Sequence, residues 1–137
     1  MLTRHAIREA AFQTLFAIDA NPDADREMTY TAVLPEEEII PGYLISLVDG
    51  VLEHREDLDK AISEHLKKGW SLGRLSKTSL IIMRLGLYEI KYEDDLPDKA
   101  ALNEAIELGK KFADAQTAGF INGILAHFIS PETTQAQ

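Results

Sequence analysis

The run from Ser79 to Tyr92 (SLIIMRLGLYEIKY) constrains this chain more than any other stretch. At about 100° of rotation per helical residue, Leu80, Met83, Leu87 and Ile90 form one apolar stripe, and Ile81, Leu85, Tyr88 and Tyr92 form a second. The stripes merge into a surface too broad for a helix with one wet side, so the segment belongs inside a bundle. Its least apolar line, Ile82, Gly86 and Glu89, is narrow. Gly86 costs roughly 1 kcal/mol relative to Ala in a helix interior unless it admits a close neighbour. Arg84 projects from the apolar side, and a buried guanidinium needs a charged partner. The nearest acids with helical companions are Glu104 and Glu107. Glu104 is the expected partner, in an ion pair that pins two helices; the alternative is a direct functional role for Arg84.

The rest of the chain reads as further helices. Thr3 can cap a first helix to about Ala20, with Ile7, Ala11, Leu15 and Ile18 on one face. Arg4 and Arg8 lie a turn apart at the edge of that face as exposed arginines, with His5 adjacent and Phe12 and Phe16 further along the line. Residues 21 to 38 are the least regular, with a short helix around Arg26 to Leu34. Pro41 suits a first helical turn, and Leu44, Leu47, Val48 and Val51 follow at helical spacing. The signal lapses around His54 to Asp57 and resumes at Leu58, giving two successive helices or one bent one. Gly69 ends the pattern, and Trp70 and Leu72 are the expected anchors of the crossing to the central helix. A helix from Lys99 to about Ala113 buries Leu102, Ala105, Ile106, Gly109 and Phe112. A last helix, capped by Thr117, turns Phe120, Ile121, Ile124, Leu125 and Phe128 inward. The tail from Ser130 is expected to be frayed. With no strand-like alternation, the class is all-α, with six or seven helices.

At 137 residues one domain is expected, able to bury about two-thirds of its unfolded surface. Arg4, His5, Arg8 and Glu9 interrupt any leader-like apolar core, and no apolar run approaches the roughly 20 residues that span a bilayer. No membrane association is expected. The absence of cysteine removes disulfides and thiolate chemistry and fits a cytoplasmic protein. A net charge of −9 argues against holding nucleic acid by bulk electrostatics, so any such site must be a local patch.

Enzyme signatures are missing: there is no glycine-rich phosphate loop, no G-x-S-x-G and no H-E-x-x-H. Val51, Ile62 and Ile124 stand three residues before His54, His65 and His127, where a di-iron bundle needs glutamates. His65 and His127 read as edge-of-core residues ahead of ligands. Asp49, Glu53, Glu56, Asp57 and Asp59 read as a solvated helix face ahead of a metal site. No enzyme activity, metal or cofactor is expected. Two features remain. Arg4, His5 and Arg8 are either scattered surface charge or a phosphate-contacting patch. Asp114 to Asn122 (DAQTAGFIN) begins a helix with little bulk at Ala118 and Gly119, so its N–H groups suit an anion. Phe120 at that edge is either core or a stacking platform for a base. Together these point to single-stranded RNA.

The segments WSLGRLSKTSLIIMRLGLYE (70–89), NEAIELGKKF (103–112) and FINGIL (120–125), with the opening RHAIREAAFQTLFAID, resemble the NusB family of transcription antitermination factors. The resemblance covers nearly the whole chain in order. It implies two packed three-helix bundles, here about 1–68 and 69–130, with the tail 131–137 disordered. It also implies a non-enzymatic role: binding boxA-type RNA together with NusE, a small-subunit ribosomal protein, within an antitermination complex with RNA polymerase at ribosomal RNA operons. Carried over by position, the RNA contacts fall on Arg4, His5, Arg8, Lys77, Gln116, Thr117 and Phe120, and the NusE contacts on Phe16 and Ser79. The chain departs from the family where His5 and Ala6 replace further arginines, and where Ser79 and Leu80 replace an adjacent acid and base. A protein-only helical adaptor is the alternative reading, and self-association is compatible with the sequence.

Overall fold

The computed structural model describes residues 2–129, and the expected frayed or disordered tail lies outside them. Among the described residues there are seven α-helices and no strand: α1 (Arg4–Ala20), α2 (Arg26–Val33), α3 (Gly42–Glu53), α4 (Arg55–Ser63), α5 (Lys77–Tyr92), α6 (Asp98–Phe112) and α7 (Ala115–Leu125). Short 3-10 turns occupy Leu72–Arg74 and Ala126–Phe128. The all-α class is as the sequence indicates. None of the described helices is long and apolar enough to cross a membrane.

The chain divides into two compact units, the first ending at Glu53 and the second beginning at His54. The expected boundary near residue 68 therefore moves to the α3–α4 junction. The cause is α4, which packs on α5, buries Leu58 and Ile62 completely and carries the acid that Arg84 needs.

In the first unit, α1 contacts both α2 and α3. Thr3 caps α1 as expected, its hydroxyl accepting the Ala6 N–H at 3.0 Å. The buried face of α1 is wider than its apolar line and takes in Arg8 and Thr14 beside Ile7, Ala10, Ala11, Phe12 and Leu15. Leu44, Leu47 and Val48 of α3 are fully buried in the same unit.

The second unit is built around α5, which contacts α4, α6 and α7. Ser76 caps it, its hydroxyl accepting the Ser79 N–H at 3.1 Å. With neighbours on several sides, every residue from Ile81 to Leu87 is buried. The least apolar line, Ile82, Gly86 and Glu89, is buried as well. Gly86 explains the choice of face: a Cβ there would stand 2.9 Å from Leu125 Cδ1 and 3.0 Å from Ala105 Cβ. The missing side chain lets α6 and α7 close on α5. The buried face of α6 accordingly runs through Ala101, Leu102, Ala105, Leu108 and Gly109, with Ile106 and Phe112 only half-buried.

Arg84 is 7% exposed, and its partner is Asp59 of α4, not Glu104. Nε donates to Asp59 Oδ1 at 2.7 Å and a terminal nitrogen to Oδ2 at 3.0 Å, a bidentate fork. Glu104 follows α5 in sequence, but Gly86 is the residue that faces α6, leaving Arg84 to reach α4.

Two outcomes follow from this packing. Gly86→Ala should lower stability by about 1 kcal/mol, because overpacking a closed core outweighs the propensity gain, whereas Gly119→Ala, with nothing within 4 Å of the added carbon, should raise it by up to ~1 kcal/mol; urea unfolding of the two variants must move in opposite directions. Arg84→Met should cost about 3 kcal/mol by stranding a largely buried Asp59 carboxylate, and an unchanged thermal midpoint would contradict the ion pair.

Candidate nucleic-acid interface

The second unit carries a cleft of about 670 Å³ between the α4–α5 connector and α7. Gln116, Thr117 and Phe120 line it, as do Ser76 and Ser79 from the start of α5. The connector and the preceding turn add His65, Leu66, Lys67, Trp70, Arg74 and Leu75, and the far end of α7 adds Gly123, Ile124 and His127. No Asp or Glu is among these residues, in a chain where acids outnumber Lys and Arg by 23 to 14. Two permanent cations, Lys67 and Arg74, and two imidazoles make the local balance the reverse of the global one.

Phe120 is not a core residue: α7 buries Ala118, Ile121, Ile124 and Leu125, while Phe120 is 38% exposed and lines the cleft. The inward assignment of Phe120 is thereby corrected, and Phe128 is only half-buried. The cause is the start of the helix. Asp114, not Thr117, is the cap, its carboxylate accepting the Thr117 N–H at 2.7 Å. Helix α7 begins nearly a turn earlier than expected. The backbone donor assigned to an anionic ligand is taken by the chain's own carboxylate, so Thr117 lines the cleft without offering that N–H. The Thr117 backbone bond, helped by the Thr117 hydroxyl, holds the Asp114 carboxyl below its ordinary range.

Trp70 and Leu72, expected as buried anchors, are exposed and half-buried respectively. His65 and His127 stack at 4.5 Å between centroids with an 18° tilt, and Phe128 meets His65 edge-on at 4.8 Å. His65 is half-buried and His127 exposed, and both wall the cleft. Among the described residues, no cluster of three or more His, Asp or Glu is placed to hold a metal. Lys77, in the first turn of α5, is exposed and is not one of the lining residues. Ser79 is buried, and its hydroxyl oxygen accepts from Ser76 at 2.9 Å.

The other expected residues belong to the first unit. Arg4 is exposed, with Cζ 4.0 Å above the Tyr43 ring. His5 Nε2 lies 3.1 Å from Glu9 Oε2. Arg8 is 4% exposed, with Cζ 5.9 Å from the same Tyr43 ring, so it is not the surface arginine its spacing suggests. Phe16 is exposed beside Phe12, with centroids 5.9 Å apart. Trp70, Arg74 and Lys67 were not singled out as binding residues by sequence. The signal for them was a tryptophan and three cations, Lys67, Lys68 and Arg74, within eight residues that break a helix pattern.

The cleft joins half-exposed rings to a cationic, carboxylate-free lining, an arrangement suited to an anionic, planar ligand. Residues 5–130 match the NusB family, and the chain belongs to that family. It is 59% identical over 129 residues to the transcription antitermination protein NusB of Lacticaseibacillus casei, covering 94% of this chain and 96% of that one. With the NusB of Levilactobacillus brevis the identity is 50%, covering 98% and 99%. Among solved structures, the fold is similar to T. maritima NusB, with a TM-score of 0.82, 29% identity and full coverage of both chains. It is also similar to a chain in the crystal structure of antitermination factors NusB and NusE in complex with dsRNA, with a TM-score of 0.78, 26% identity and coverage of 91% and 94%.

The Asp114 cap gives a pH-dependent outcome. Because its folded pKa is depressed, its contribution is present above the ordinary Asp range and is lost as pH falls through the folded value. Asp114→Ala should therefore lower the thermal midpoint at neutral pH and make a smaller difference in strong acid. Equal differences at both pH values would remove the charged cap.

Proposed function

We propose that this chain is a non-catalytic transcription antitermination factor that binds boxA-type single-stranded RNA together with NusE and supports transcription of ribosomal RNA operons by RNA polymerase. The observation that carries the reading is the cleft lining: cations and exposed rings without a carboxylate, in a chain of charge −9. Screening confines surface electrostatics to about 10 Å, so a local patch of this kind acts on a phosphate largely apart from the acids elsewhere. The rings suit unstacked bases, which is how single strands are recognised. The relatives' name and the fold's similarity to a NusB chain solved with NusE and dsRNA support the same reading. Phe16 remains the proposed apolar contact for NusE, and Arg4 with His5 the proposed phosphate patch on the first unit.

The test is binding of boxA RNA and of a scrambled RNA, each with and without purified NusE, across a salt series. Tightest binding is expected for boxA RNA with NusE present. Arg4→Ala should weaken binding and flatten the log–log salt slope by about 0.7 of a unit, with little change in stability. Phe120→Leu should weaken binding about tenfold and leave the unfolding midpoint nearly unchanged. Arg8→Ala should lower stability as well, because that side chain is buried. Equal affinity for boxA and scrambled RNA, or none for either, would instead favour the protein-only adaptor.

A further inference from the structure

Trp70 is the single tryptophan of the chain, and an indole normally buries 150–250 Å² when it packs, yet this one is 50% exposed. It is nevertheless held in place. It follows Gly69, whose φ of +91° lies where glycine is favoured, and its backbone N–H donates to the Lys67 carbonyl at 3.0 Å. Arg74 reaches back from the 3-10 turn. One terminal guanidinium nitrogen donates to the Gly69 carbonyl at 2.9 Å, while Cζ lies 5.1 Å from the indole centroid. That cation–π contact supports one side of the ring and leaves half of the residue's surface open. Both residues line the same cleft as Phe120.

We propose that Trp70 is a second stacking platform, so that the cleft takes an unstacked nucleobase of single-stranded RNA against the indole while Arg74 and Lys67 neutralise the flanking phosphate. The proposal rests on the RNA reading and adds to it a wall contributed by the α4–α5 connector. The occupant is chosen by charge. A peptide could use the rings, but only a polyanion uses rings, two permanent cations and the absence of any carboxylate together. The volume, about 670 Å³, is in the usual range for a site of small-ligand size, room enough for a nucleotide. Gln116, at the N-terminal turn of α7, supplies an amide that can both donate to and accept from a base edge.

The single tryptophan makes the test direct. In full-length protein grown with 5-fluorotryptophan, the one fluorine resonance should shift on adding boxA RNA in the presence of unlabelled NusE, saturating with the binding curve from RNA anisotropy. Trp70→Leu should weaken RNA binding about tenfold, Trp70→Phe should recover most of the loss, and Arg74→Gln should flatten the salt slope. Circular dichroism verifies folding, and if the Leu variant is unfolded, the fluorine titration and the Phe variant decide. RNA that binds by anisotropy without moving the resonance, with Trp70→Leu at parental affinity, would overturn this inference and leave the RNA reading standing. A resonance moved by NusE alone and insensitive to RNA would overturn it in favour of a protein contact. If no RNA binds with NusE present, both readings fall.

Discussion

The second unit depends on burying one helix around most of its girth. Helix α5 can be enclosed only if α6 and α7 come close on one side, which Gly86 permits, and if Arg84 on another side finds a countercharge before it leaves water. Asp59 provides that countercharge through a bidentate fork. The requirement is severe because an arginine desolvated without a partner costs several kcal/mol. It also explains why α4 is part of this unit and not the first: the acid that neutralises α5 lies on α4, together with the buried Leu58 and Ile62.

That enclosure has a consequence for the surface. With α4, α6 and α7 committed to α5, the connector from α4 to α5 and the outer side of α7 are left to face solvent, and they meet at the cleft. Inward faces of α7 are taken by small and aliphatic residues, so Phe120 turns outward. The aromatic exposure that marks the site is thus the residue of a packing problem already solved. Its charge pattern is separate in origin, since packing does not require a lining free of carboxylates in a chain with nine more acids than bases.

Helix termini near the cleft are satisfied internally. Ser76 caps α5 and Asp114 caps α7, the latter with a full negative charge on the Thr117 N–H. A phosphate approaching α7 would compete with that carboxylate for the N–H. The proposed RNA contacts therefore lie on side chains, the rings of Phe120 and Trp70 and the cations of the connector, in place of a backbone anion cradle.

Helical periodicity and caps are local, and for that reason the sequence alone determined the all-α class, the approximate extents of the helices, the burial of α5 and the Thr3 cap. The NusB resemblance was equally legible, because its motifs are contiguous. What only the tertiary structure decided depends on which helix meets which face. A period of 3.6 residues fixes relative positions around a helix but not its rotation against its neighbours, so Ile82 and Glu89 turned inward, Phe120 outward, and Arg8 became buried. Arg84 paired with Asp59, 25 residues away, because sequence distance carries no information about which acid a packed helix will present. Trp70 was misread for a related reason: an indole is ordinarily an anchor, and only the arrangement of Gly69 and Arg74 around it reveals a ring held in place and left open.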